Sequence, residues 1–216
     1  YAVAVDAAGN GYVTGHFQNA ATFGGESLTN HGGVDLFLTK LSPSGEVLWT
    51  RVAGGPGVDV GYGVAVDAAG DVLICGYHGA QARFGEVSED VAGNVDLFIA
   101  KYTSQGDLVW VRSAGGPDQD YANALSLDAS GGIYVAGTLR GNATFGDFVT
   151  TGVGNRTYLA RYESTGAFAW VRTFGGSDAR GLAAQGTHAY VGGQFLGTAF
   201  FDTNQVVSSG NFDAFL

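Results

Sequence analysis

The 216-residue chain has no Met, a single Cys, three Pro and only 14% charged residues, and its apolar stretches, such as Tyr1–Val5 and Val72–Cys75, are short. Each shortage closes off a class of protein. One cysteine, Cys75, permits no internal disulfide. The apolar runs fall far below the ~20 residues that a bilayer-crossing helix needs. Basic residues are scarce as well: ten Lys and Arg stand against twenty Asp and Glu, a formal charge of −10. Such a field repels phosphate backbones and anionic lipid, so neither nucleic acid nor a membrane surface is expected as a partner. With so little Pro and no Gly-X-Y period, the 37 glycines do not indicate collagen.

What is present is 14 Phe, 10 Tyr and 3 Trp, more apolar bulk than a disordered chain carries. The combination of aromatics and glycine points to a turn-rich folded protein. Self-similarity organises it. Gly15, Gly76 and Gly137 stand 61 apart, as do Phe23, Phe84 and Phe145, and Asp6, Asp67 and Asp128, while Trp49, Trp110 and Trp170 follow at 61 and 60. A fourth copy begins near Leu182, keeps Gly193 and Phe201 eight residues apart, and stops at Leu216 without a tryptophan strand. Units are expected at 1–61, 62–122, 123–181 and, truncated, 182–216.

Inside a unit the apolar pattern has period two, as in Val72-Leu73-Ile74-Cys75 and Leu108-Val109-Trp110-Val111, and reads as four short strands. Asp67-Ala68-Ala69-Gly70 joins the first two as a tight turn, with counterparts at Asp6 and Asp128. Ser42-Pro43-Ser44-Gly45 joins the last two, and Gly106 and Gly166 repeat its glycine. In the fourth copy Gln185-Gly186-Thr187-His188 replaces the Asp turn. About twenty residues separate strands two and three, too many for a simple hairpin loop, and are expected to hold a fifth edge strand or an ordered excursion. Leu36 and Leu38 on one side and Phe37 and Leu41 on the other leave both faces of the third strand apolar. A sheet apolar on both faces must be covered twice, which four-stranded antiparallel blades packed around an axis achieve. The expected fold is an all-β propeller, an incomplete ring of three full blades and a partial fourth.

Asp-Ala-Ala-Gly-Asn-Gly-Tyr-Val-Thr-Gly (6–15), Ala-Thr-Phe-Gly (21–24), Asp-Leu-Phe-Leu-Thr-Lys (35–40) and Gly-Glu-Val-Leu-Trp (45–49) resemble the bacterial SBBP-type β-propeller repeat. The resemblance covers the whole chain. It implies a closed ring of about seven blades and a bacterial secreted or cell-surface protein, but it names no activity. Three and a half units and a start at Tyr1 lead to the expectation of a processed or truncated piece, completed by self-association or by the rest of a parent chain.

Six of the ten basic residues keep repeat register: Lys40, Lys101 and Arg161, then Arg51, Arg112 and Arg172. They are expected to cover apolar surface and pair with Asp35 or Asp96. Arg156 stands in the third unit where those acids do, and marks that position as solvent-tolerant. Asp6, Asp67 and Asp128 are expected to cap turns. Asp118 and Asp120 form the densest acidic spot and the one candidate for calcium. Trp49, Trp110 and Trp170, with Phe23, Phe84, Phe145, Phe37, Phe98 and Tyr158, are expected to pack blades together. The four histidines share no register and read as loop or edge residues. Cys75 reads as a buried, inert thiol. No catalytic or cofactor-binding set emerges from the sequence. The expected function is a non-enzymatic scaffold or binding module that presents loops to a protein or glycan. A multivalent lectin with sugar sites on the twenty-residue segments is the alternative, and a hydrolase or quinoprotein is a remote one.

Overall fold

The computed structural model describes residues 1–175, 177–186, 188–201 and 203–216; Thr187 of the fourth-copy turn lies outside them. The described residues form strands and turns without a helix. The first unit supplies β1 (Ala2–Val5), β2 (Gly11–Phe17), β3 (Ala21–Phe23), β4 (Glu26–Leu28), β5 (Asp35–Leu41) and β6 (Val47–Gly54). The second supplies β7 (Val60–Val66), β8 (Val72–Gly79), β9 (Ala82–Phe84), β10 (Val87–Glu89), β11 (Val95–Tyr102) and β12 (Leu108–Ala114). The third runs β13 (Tyr121–Leu127), β14 (Ile133–Arg140), β15 (Ala143–Phe145), β16 (Phe148–Thr150), β17 (Asn155–Tyr162) and β18 (Phe168–Gly175). The fourth holds β19 (Ser177–Gln185), β20 (His188–Phe195), β21 (Thr198–Phe201), β22 (Asn204–Val207) and β23 (Asp213–Phe215).

The main sheets are antiparallel meanders in chain order: β1-β2-β5-β6, β7-β8-β11-β12, β13-β14-β17-β18 and the three-stranded β19-β20-β23. The expected unit limits at 61, 122 and 181 fall inside β7, β13 and β19. The twenty-residue segment forms a short hairpin, and its partner belongs to another unit. β9 pairs with β6 of the preceding sheet through Ala53–Phe84 and Gly54–Arg83, which makes the first sheet six-stranded. Gly115 and Thr144 form the corresponding bridge from the second sheet to the third hairpin. Each of these hairpins closes an edge that its neighbour would otherwise leave open.

Consecutive sheets pack face to face as an open, propeller-like array. Alternation along β8 shows why: Val72 and Ile74 enter the core shared with the first sheet, while Leu73 and Cys75 enter the core shared with the third. A third core joins Tyr134, Ala136 and Leu159 to Ala179 of the fourth sheet. Burial on both faces accounts for the nearly continuous apolar strands. The first strands β1, β7, β13 and β19 lie side by side, so residues in equivalent register on them converge.

Candidate functional site

The turn aspartates have one geometry three times over. Asp6 Oδ1 accepts from Ala8 N and Asn10 N at 3.0 and 2.9 Å, Asp67 Oδ1 from Ala69 N and Asp71 N at 2.9 and 3.0 Å, and Asp128 Oδ1 from Ser130 N and Gly132 N at 2.8 Å each. Donation from Asn10 holds the Asp6 carboxyl below its ordinary range, and donation from Ser130 does so for Asp128. Gly45, Gly106 and Gly166 take φ of 86°, 86° and 80°, a conformation that side-chain-bearing residues rarely adopt.

The aromatic residues pair between hairpin and third strand. Ring centroids lie 4.8 Å apart for Phe23–Phe37, 5.0 Å for Phe84–Phe98 and 5.6 Å for Phe145–Tyr158, and Phe201–Phe215 repeats the pair at 4.9 Å. Tryptophans reach the next sheet: Trp49 Nε1 donates to Ser104 O at 3.2 Å, and Trp110 lies against the Gly166 turn.

The basic residues have other partners than the sequence reading assigned. Lys101 Nζ pairs with Asp67 and Asp71 at 2.8 and 3.2 Å, Lys40 Nζ donates to Ser104 O at 3.1 Å, and Arg51 caps the Gly106 turn by Nε donation at 2.8 Å. Asp35 and Asp96 are buried. Asp35 Oδ2 is met by His31, through its backbone N at 2.6 Å and its ring Nδ1 at 2.9 Å, and Asp96 Oδ2 by Ala92 N at 2.6 Å, in place of the Lys and Arg partners expected for them. Arg156 is buried too, its guanidinium donating to the carbonyls of Gly141 and Thr151, so its position is not solvent-tolerant. His78 is a core residue, with Nε2 2.9 Å from Ser113 Oγ, because its strand is covered on both faces.

Asp118 and Asp120 sit in different surroundings. Asp118 is exposed. Asp120 is buried and accepts from Gly116 N at 2.7 Å and Arg140 N at 2.9 Å. Its actual neighbour is Asp96 across Gly115, where a Cβ would come within 2.5 Å of Asp96 Oδ1 and 3.0 Å of Asp120 Oδ2. One repeat earlier, Asp35 Oδ1 and Asp59 Oδ2 stand 2.6 and 2.8 Å from the same point on Gly54. Burial pushes Asp59 up to about 7, and Asp96 and Asp120 to about 6. Asp35 Oδ1 and Asp96 Oδ1 are buried without a hydrogen-bond partner. Among the described residues no group of three or more His, Cys, Asp or Glu side chains is assembled.

The residues that the sequence reading missed lie on the first strands. β7, β13 and β19 each carry a bulge at equivalent register, between Gly61 and Gly63, Ala122 and Ala124, and Ala179 and Gly181. A bulge turns one side chain out of the pleat, and here those residues are Tyr62, Asn123 and Arg180. All three line one cleft of about 380 Å³, together with Tyr121, Thr138, Arg140 and Asp178. With Tyr1, the same three border an adjoining space of about 390 Å³. Asp178 braces the cleft. Its Oδ1 accepts from Thr138 Oγ1 at 2.5 Å and from Asn123 Nδ2 at 3.3 Å, and its Oδ2 lies 2.5 Å from Arg180 Nη2. Beneath, Tyr77 packs against both Tyr62 and Tyr121 at 5.6 and 5.0 Å. The signal for these positions was present as repeat register, but their chemistry changes from unit to unit, so a search for recurring residue types passes over them.

No family model matches the chain. Among curated proteins it is similar to an uncharacterized WD repeat-containing protein, L264, of Acanthamoeba polyphaga mimivirus, with 29% identity over 106 residues. The match takes in 44% of this chain and 8% of that protein, so the chain spans a small part of the relative's length. WD repeats build β-propellers, and the similarity agrees with the all-β, repeated-sheet architecture.

Proposed function

We propose that the chain is a non-enzymatic binding module on an incomplete β-propeller, with its ligand site at the axial bulges. The observation that carries the reading is that three successive first strands keep one backbone irregularity and vary the side chain it presents, as Tyr62, Asn123 and Arg180. A fixed frame with changeable chemistry is what recognition needs, since binding clefts place a few polar groups among aromatic walls. Catalysis is not favoured, because the carboxylate in the cleft, Asp178, has both oxygens engaged and so is poorly placed for proton transfer. Sugar sites on the twenty-residue segments are not favoured either. Phe84 and Phe145 of those segments are buried, and β9 is committed to the preceding sheet.

The test is a screen of the intact chain on peptide and glycan arrays, repeated with the Tyr62→Ala/Asn123→Ala/Arg180→Ala variant. Binding that the triple variant loses supports the reading. Blank arrays with folded protein, or binding that survives the three substitutions, defeat it.

A second surface accompanies this site. Val3 and Val5 are 69% and 65% exposed, whereas Val64 and Val66 in the same register pack into the core between the first and second sheets. We propose that a sheet of a second copy of this chain covers them. Light scattering on the isolated chain is expected to give a mass above 22.2 kDa, and a stable monomer across the concentration range counts against self-association.

A further inference from the structure

We propose that the axial cleft binds a carboxylate-bearing sugar, a uronic acid, with Arg140 and Arg180 taking the carboxylate. The inference rests on the binding-module reading and assigns its ligand class. It begins with charge. In a chain with a net charge of −10, two guanidinium groups line this one cleft and face a single lining carboxylate, Asp178.

Neither guanidinium is exhausted by its contacts within the protein. Arg140 places Nη1 2.6 Å from Gln119 Oε1, and Arg180, whose side chain is 63% exposed, commits Nη2 to Asp178. A guanidinium has five N–H donors in a planar fork that matches a carboxylate with two parallel bonds. The fixed contacts orient the forks, and the remaining donors are left for a ligand. One surplus positive charge suits a monoanion better than a polyanion, which the field of the whole molecule repels.

The remaining walls suit a pyranose ring. Tyr62, Tyr121 and Phe212 supply aromatic surface, Asn155 and Gln194 supply amides that both donate and accept, and Asn123, whose Nδ2 donates to Asp178 Oδ1 and Ala179 O, offers its Oδ1 as an acceptor. The Tyr62–Tyr77–Tyr121 contacts hold two of those walls in place before a ligand arrives, which lowers the ordering cost of binding. A cleft of about 380 Å³ lies within the ~300–1,000 Å³ range of small-ligand sites. Its openness to solvent fits the terminal sugar of a longer chain as well as a free monosaccharide.

Titration calorimetry and saturation-transfer NMR on the intact chain, with glucuronate, glucose and inorganic phosphate as probes, test the assignment. Glucuronate is expected to bind in the millimolar range, about tenfold more tightly than glucose or phosphate. Arg180→Gln and Arg140→Gln are each expected to weaken glucuronate about fivefold or more without changing glucose binding. Arg180→Lys, which keeps the charge and loses the fork, is expected to fall between. Thermal melts of each variant confirm folding, which the exposure of Arg180 favours. Equal affinity for glucose or phosphate, indifference to both Arg→Gln changes, or no glucuronate binding at all overturns the proposal. If glucuronate fails while another ligand from the arrays is lost on Tyr62→Ala, the ligand class is wrong and the binding module stands. If both are blank, both fall. A uronate oligomer that outcompetes the monosaccharide identifies a glycan end as the source.

Discussion

Asp35 Oδ1 and Asp59 Oδ2 meet over the α-carbon of Gly54, one carboxylate from the first sheet and one from the segment that leads into the second. Both residues are buried, and burial, with the neighbouring Asp35 carboxylate adding to it, pushes Asp59 up to about 7. Asp96 and Asp120 repeat the meeting over Gly115. The seam between neighbouring sheets therefore contains ionisable groups that favour a proton.

This arrangement sets a pH dependence. Asp59 titrates near 7 in the folded chain, and Asp96 and Asp120 near 6, all raised first by burial, whereas unfolded aspartates titrate near ~4. Between those limits the folded chain holds more protons than the unfolded one, so stability falls as pH rises from about 4 to about 7 and levels off above. Melting temperatures at pH 5 and pH 8 are expected to differ by several degrees, with the lower value at pH 8. Asp59→Asn should narrow that difference more than Asp107→Asn, an exposed control that removes the same charge. A melting temperature that climbs with pH would refute the account.

Gly54 and Gly115 hold φ of 150° and 156°, and any Cβ there would strike the carboxylate pair. Gly54→Ala is expected to cost on the order of 2–3 kcal/mol, from backbone strain and displaced carboxylates together. Denaturant unfolding measures it. A cost within ordinary surface variation means that the pair can move aside.

Equivalent phenylalanines should differ in importance. Phe84 is fully buried against Phe98 and held by a hairpin that pairs with the preceding sheet, whereas Phe23 is only half-buried. Phe84→Ala is expected to cost about 3–5 kcal/mol, and Phe23→Ala about 1 kcal/mol. Equal losses in chemical denaturation would show that the hairpin's attachment to its neighbour contributes little.

Cys75 is fully buried, and burial pushes its thiol well up from the usual range. A thiol-specific reagent should label native protein roughly a hundredfold or more slowly than unfolded protein. Rapid labelling under native conditions would show that the core between the second and third sheets opens easily.

Much of the fold could be read along the chain because it is local. Period-two runs, the Asp-to-Gly turns and the 61-residue spacing depend on neighbours a few residues apart, and β8 and its turn at Asp67 lie where those signals put them. The hairpin's partner could not be read, since Ala53 and Phe84 are 31 residues apart and form a short ladder between units. The acid pairs were hidden for a related reason. Asp35 resembles a surface partner for Lys or Arg until the covering sheet is known, and covering is a property of the array. Tyr62, Asn123 and Arg180 escaped because a bulge shows in hydrogen-bond register and not in residue type.

The crossing hairpin has a practical corollary for dissection. Because β9 completes a sheet whose other strands come from the previous repeat, the cooperative unit is out of phase with the genetic period. Cutting at residue 61 would strip the first sheet of its outermost strands and leave a raw edge at Ala53–Gly54. A cut after Glu89 would keep that edge sealed. Excision, shuffling or transplantation of units is better phased to the hairpins than to the tryptophans.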